Sequence, residues 1–119
     1  MHGPHPGRFR ARSSFALDRL RAVSRSLIER RLRDASARLR RAREELAVIE
    51  EQLAVLADAA DEARLRALVS ETPLANREYQ EAQRHADAMN RSRQAVVTSI
   101  TELQRAQDEL LDRLVIESH

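Results

Sequence analysis

The residues of this chain that could do chemistry are four histidines, 19 carboxylates and 21 cations. All 21 cations are arginine, and cysteine is absent. No lysine is present to form a Schiff base, and no thiolate can act as nucleophile or metal ligand. His2 and His5 lie close together but have no third ligand type near them in sequence, which a metal site requires. His85 and Asp87 are two residues apart, and on a helix that spacing places them on different faces. Asp108, Glu109 and Asp112 fit a solvated outer face. The chain has no Gly-rich phosphate loop and no paired-histidine motif. These residues predict no catalytic group, no cofactor, no metal and no small-molecule substrate, so the chain reads as a non-enzymatic protein.

What the arginines can do is bind. Each is a planar fork suited to carboxylate or phosphate. Residues 1–43 carry 13 arginines against Asp18, Glu29 and Asp34, a net charge of +10. Residues 44–119 carry eight arginines against 16 acids, a net charge of −8. A basic arm therefore precedes an acidic body. The candidate interaction residues in the arm are Arg8, Arg10, Arg12, Leu17, Arg19, Leu20, Arg21, Arg25 and Leu27. Clustered arginines are an electrostatic footprint for phosphate backbones. No aromatic residues interleave with them to stack bases, and no nucleic-acid-binding motif is present.

The elements that must position these side chains are helices. Only 3% of residues are aromatic, glycine occurs twice and proline three times, while 34% are charged. Ala, Leu, Arg, Glu and Gln dominate, a composition typical of long helices and coiled coils. The exclusive use of arginine fits a GC-rich bacterial genome. Residues 1–13 hold both glycines and two of the three prolines, and read as a flexible basic tail. Residues 14–117 read as one helical hairpin. Helix 1 is expected over about 14–69, with Ser13 or Ser14 as cap and Asp18 near the first turn. A turn follows at 70–73, with Thr72 as N-cap and Pro73 at the first helical position, and helix 2 spans about 74–116.

Two apolar seams support this division. On helix 1, Ile28, Leu32, Ala35, Leu39, Ala42, Leu46, Ile49, Leu53, Leu56, Ala60, Ala63 and Ala67 step alternately by four and three. On helix 2 the series is Ala75, Tyr79, Ala82, Ala86, Met89, Arg93, Val96, Ile100, Leu103, Gln107, Leu110 and Leu114. Alternating steps of four and three are a heptad coiled-coil pattern. A link as short as residues 70–73 forces the helices side by side and antiparallel. Folding about residue 71 pairs seam positions whose numbers add up to 142, and all twelve on helix 1 then meet one on helix 2. Leu39 faces Leu103, Leu46 faces Val96, Leu53 faces Met89 and Ile28 faces Leu114. Large side chains meet small ones, as Tyr79 meets Ala63 and Leu56 meets Ala86, which lets the helices interdigitate. Two seam positions are polar: Arg93 faces Ile49, and Gln107 faces Ala35. A long polar side chain can lay its stem on the seam and extend its end to water. The fold class is thus all-α, a long antiparallel two-helix coiled-coil hairpin.

In this register helix 2 runs out near residue 25. The helix over 16–28 then projects with Ala16, Leu17, Leu20, Val23, Leu27 and Ile28 on one side, Arg19, Arg21 and Arg25 around that stripe, and Asp18 and Glu29 opposite. An uncovered apolar stripe calls for a second copy, a partner protein or a membrane surface. Beside the seam on helix 2, Asn76, Gln83, Asn90, Val97, Gln104 and Leu111 are all uncharged, and Val48 and Val55 form an apolar pair on helix 1. These features predict dimerisation into a four-helix bundle, with the arm of one copy lying on the acidic stretch 44–62 or 102–112 of another.

The tip offers a second candidate contact through Glu71, Asn76, Glu78 and Tyr79. The stretch Asn76-Arg77-Glu78-Tyr79 resembles the Asn-x-Glu-Tyr that follows the tip in Gre-type transcript-cleavage factors, which insert an antiparallel coil into the RNA polymerase secondary channel. The resemblance covers three identical residues. Glu71 and Thr72 stand where that family has Gly-Asp at its tip, and the 119 residues hold no counterpart of its C-terminal globular domain. What the resemblance implies is a polymerase-binding hairpin without cleavage chemistry.

The leading expectation is a cytoplasmic coiled-coil adaptor acting through protein–protein contacts and its Arg-rich arm, as a homodimer or with another protein. The alternative is a nucleic-acid- or RNA-polymerase-associated regulatory factor using the arm or the tip. A further alternative is a peripheral protein of the membrane surface. No apolar run reaches the length of a membrane span, and no secretory signal is visible. The Arg- and Ser-rich start has the composition of a mitochondrial transit peptide, but the helical pattern from Phe15 enters the coil without a boundary.

Overall fold

Two long helices account for the described chain. The computed structural model describes the backbone of residues 6–118 and the side chains of residues 14–117. Helix α1 is Pro6–Ser70 and helix α2 is Pro73–Ser118, and together they form an all-α antiparallel hairpin.

The link between the helices is built by local hydrogen bonds. The Glu71 N–H donates to the Ala67 carbonyl at 3.1 Å, and Glu71 has φ of 51°. That is a left-handed helix terminus, a conformation most easily adopted by glycine. One residue earlier, the Ser70 hydroxyl donates to the Arg66 carbonyl at 2.6 Å. Thr72 then caps α2: its Oγ1 accepts from the Ala75 N–H at 3.2 Å. Its carbonyl accepts the first helical bond, from the Asn76 N–H, at 3.1 Å. Pro73 occupies the first helical position, where its missing N–H removes no bond. Thr72 and Pro73 therefore have the roles that their residue types indicate.

The start of α1 differs from the expectation. The helix begins at Pro6, eight residues before Ser14. Beyond Gly7, residues 8–16 include arginines, alanines and two phenylalanines but no proline, so nothing in that stretch forces a break. Ser13 and Ser14 are thus inside the helix rather than at its cap. Asp18 lies about three turns in, too far for the dipole of the N-terminus to favour it. The expected flexible tail over 1–13 therefore overlaps α1 from Pro6 onward, and residues 1–5 lie outside the described residues.

Residues 38–104 form one compact unit, and residues up to 37 together with those from 105 form another. In the 38–104 unit, Leu39, Ile49, Ala60 and Ala63 of α1 and Ala86 and Val96 of α2 are buried. In the other, Ile28 is only 1% exposed and Ala35 is buried. Every one of the 24 seam positions named from the sequence is buried or half-buried. Among residues 14–117, only Ser24, Ala37, Val97, Ala106 and Glu117 join them. A helix with one neighbour covers a stripe, not a whole face, so most seam side chains remain half-exposed.

Both polar seam residues report the register. Gln107 Nε2 donates to Ser36 Oγ at 3.0 Å, and Ser36 adjoins Ala35, the expected mate of Gln107. Arg93 Nε lies 3.4 Å from Glu50 Oε1, and Glu50 adjoins Ile49, the expected mate of Arg93. Each long side chain lies on the seam and turns its polar end outward to the next residue of α1. Their exposure leaves these groups in contact with solvent, so the bonds fix alignment more than they add stability.

Candidate functional site

The arm is built by extending α1 past the place where its partner helix stops. From Ser14 to Val23 every residue is exposed, whereas from Ile28 onward the seam positions of α1 are covered. Leu17, Leu20, Val23 and Leu27 are 52%, 65%, 67% and 41% exposed. The stripe named from the sequence therefore splits. Ile28 belongs to the seam, and the remaining residues are exposed.

Arg19 and Arg21 edge this stripe, and Arg25 lies on the opposite face with Asp18 and Glu29. The Arg19 guanidinium carbon sits 5.4 Å from the centroid of the Phe15 ring, one helical turn away. That spacing suits a cation–π contact, which at an exposed site contributes about 0.5–1 kcal/mol. Arg25 Nε is 3.7 Å from Glu29 Oε1 at an i,i+4 spacing. Both partners are about half exposed, so this pair is worth little in stability. Its consequence is to orient the Arg25 side chain along the helix towards Glu29. Arg21 and Arg19 are exposed. The side chains of Arg8, Arg10 and Arg12 lie outside the described residues, although their backbone is part of α1.

The tip residues do not converge on one feature. Glu71 and Asn76 line a shallow groove with Ala67, Thr72 and Pro73. Glu78 lines a different groove, with Leu65, Arg66, Val69, Ser70 and Ala75. Tyr79 is half-buried at its seam position. No protein-family model, curated protein or solved structure matches the chain. The reading of these surfaces therefore stands on their chemistry alone.

The grooves are open to solvent and no side chain with a buried, unpartnered polar atom lines them among the described residues. No group of three or more His, Asp or Glu among the described residues is placed to hold a metal ion. His85 is exposed, and Asp87 accepts a hydrogen bond from Gln83 Nε2 at 2.9 Å rather than engaging His85. No helix among the described residues is long and apolar enough to cross a membrane.

Sequence reasoning passed over two features. One is Phe15, which holds Arg19; an aromatic residue four positions before an arginine on a helix was the available signal. The other is the apolar group around the turn, where Leu65, Leu68, Val69 and Leu74 are all exposed. Their off-seam positions beside Pro73 were the signal.

Proposed function

We propose that the chain is a non-enzymatic interaction protein of the cytoplasm that uses the hairpin as a rigid support and binds through its Arg-rich N-terminal arm. The observation that carries this reading is the uncovered stripe of Leu17, Leu20, Val23 and Leu27, edged by Arg19 and Arg21. An apolar stripe held open on a helix that has left its partner behind is stabilised only when another surface covers it. The arginines give that surface a sign: it is acidic. Protein is favoured over nucleic acid because the stripe is aliphatic, and bases stack on aromatic side chains.

The second reading is a nucleic-acid- or polymerase-associated factor, and the 13 arginines of residues 1–43 favour it. Salt separates the two. Contacts to phosphates weaken steeply as salt rises, whereas coverage of an aliphatic stripe does not. The direct test compares the full chain with one beginning at Arg25. The shortened chain keeps its helical circular dichroism and cooperative melting, because the seams close between Ile28 and Leu114. It loses binding to a second copy or to an acidic helical peptide. Unaltered binding by the shortened chain overturns the reading and moves the interaction to the tip. Binding to duplex DNA or RNA that falls steeply with salt replaces it with the second reading.

A further inference from the structure

The heptad that places Ile28 and Ala35 at position d gives one outer row of α1, position c, a pattern of its own. Read along the helix, the row is Leu20, Leu27, Asp34, Arg41, Val48 and Val55. Its four apolar members are 65%, 41%, 53% and 68% exposed in chain order. Asp34 and Arg41 are exposed as well. The row begins and ends with two apolar residues one heptad apart, and its middle pair is one acid and one base.

Reversed and laid against itself, this row is self-complementary. Pairing residues whose numbers add up to 75 sets Leu20 against Val55, Leu27 against Val48 and Asp34 against Arg41. In antiparallel helices the flanking rows meet like with like, position f with f and g with g. On the f side Arg30 then meets Glu44, and Ala37 meets its own copy at the axis. On the g side Arg31 meets Glu45, and Leu17 meets Ala59. Each of the flanking charges is exposed. The axis also brings Arg38 towards its own copy, with Asp34 one turn away on the same helix to offset the like charge.

The neighbouring registers fail the same test. A slip of one heptad in one direction sets Asp34 against Asp34 and Leu27 against Arg41. A slip in the other direction sets Arg41 against Arg41 and Asp34 against Val48. Like charges directly opposed, and charges set on apolar side chains, are both unfavourable. In the chosen alignment the central row matches apolar with apolar and acid with base, and the mismatches fall on the f side, where Val23 meets Glu51 and Ala16 meets Asp58.

We infer that a second copy of this chain covers the arm. Residues 16–34 of one copy pack antiparallel on residues 41–59 of the other, and two-fold symmetry repeats the contact. This inference rests on the arm being the binding element and names what binds it. An isologous pair of this kind closes on itself and leaves no unmatched patch to build a fibre. It also brings opposite charges together, because Arg30 and Arg31, just past the arm, meet Glu44 and Glu45 at the start of the acidic body.

Sedimentation equilibrium of the full chain tests it, with charge-reversing variants confined to exposed positions and circular dichroism confirming the helicity of every variant. The native chain has twice the chain mass. The pair Arg30→Glu and Arg31→Glu sediments at the mass of one chain, and so does the pair Glu44→Arg and Glu45→Arg. All four changes in one chain restore the dimer, because each pair is then reversed and not broken. The chain has no natural cysteine, so single cysteines report the register under mild oxidation. Ala37→Cys alone forms a disulfide dimer, while Leu27→Cys and Val48→Cys cross-link only when mixed. A monomeric native chain, a four-fold variant that stays monomeric, or cross-linking by Leu27→Cys alone each overturns the inference. If the native chain is monomeric and loss of the arm still abolishes binding to an acidic helical peptide, the dimer fails and the arm's role stands. If that binding survives loss of the arm, both fail.

Discussion

At the scale of the residue, the turn carries the most local information. Thr72 and Pro73 declare the start of α2 through one side-chain oxygen and one missing N–H, and both were legible in sequence. Glu71 was not, because its left-handed φ of 51° contradicts its residue type. The two helix ends impose that conformation on whichever residue lies between them. Glu71→Gly is therefore expected to stabilise the hairpin by about 1 kcal/mol, the usual cost of holding a side chain in that region. Thr72→Ala is expected to cost about 1 kcal/mol through the lost cap. Chemical denaturation of the two variants beside the native chain measures both, and a destabilising Glu71→Gly would show that the carboxylate itself is needed. Arg93 gives a third case. Its side chain reaches Glu50 at an exposed distance of 3.4 Å, so Arg93→Leu exchanges a weak pair for apolar seam contact. That variant is expected to melt at or above the native temperature. A clear fall would mean that the pair stabilises more than exposed pairs usually do.

At the scale of the element, the seam was readable because a coiled coil repeats one instruction many times. All 24 seam positions follow from the alternation of steps, and the bonds of Gln107 to Ser36 and Arg93 to Glu50 place the helices in the register that size matching indicates. The N-terminal boundary of α1 was not readable. Ser13 and Ser14 suit a cap, but residues preceding them suit a helix equally, and no strong breaker decides between them before Pro6. The arm's stripe was legible, and Ile28, which sequence placed both in it and at the start of the seam, is buried while Leu27 is exposed. The heptad separates them: Ile28 falls at d on the seam and Leu27 at c, a row that α2 leaves open. Burial then ranks the consequences. Leu39 is 4% exposed and Leu46 is half-buried. Leu39→Ala is expected to cost about 2–3 kcal/mol and Leu46→Ala about 1–2 kcal/mol, measured by urea unfolding. Equal losses at the two sites would show that both are covered to the same degree in solution.

At the scale of the whole molecule, the chain divides its work. The seams between Ile28 and Leu114 hold the hairpin, and the segment before them adds cations and an apolar stripe that the hairpin does not cover. A second copy, with its stretch 44–62 or 102–112 under the arm, was already an expectation from sequence, and the self-complementary row on which the proposal rests becomes visible once burial shows which rows α2 leaves open. Hydrogen exchange of the full chain, read by mass spectrometry at a dilute and a concentrated condition, tests this division most directly. Residues 49–63 carry the buried Ile49, Ala60 and Ala63, and their helical amides are expected to be protected at both concentrations. Amides of residues 14–27 are expected to exchange rapidly when dilute and to gain at least tenfold protection when concentrated, the gain that accompanies coverage by a second copy. Arm amides that exchange at one rate under both conditions, whether fast or slow, would contradict the account.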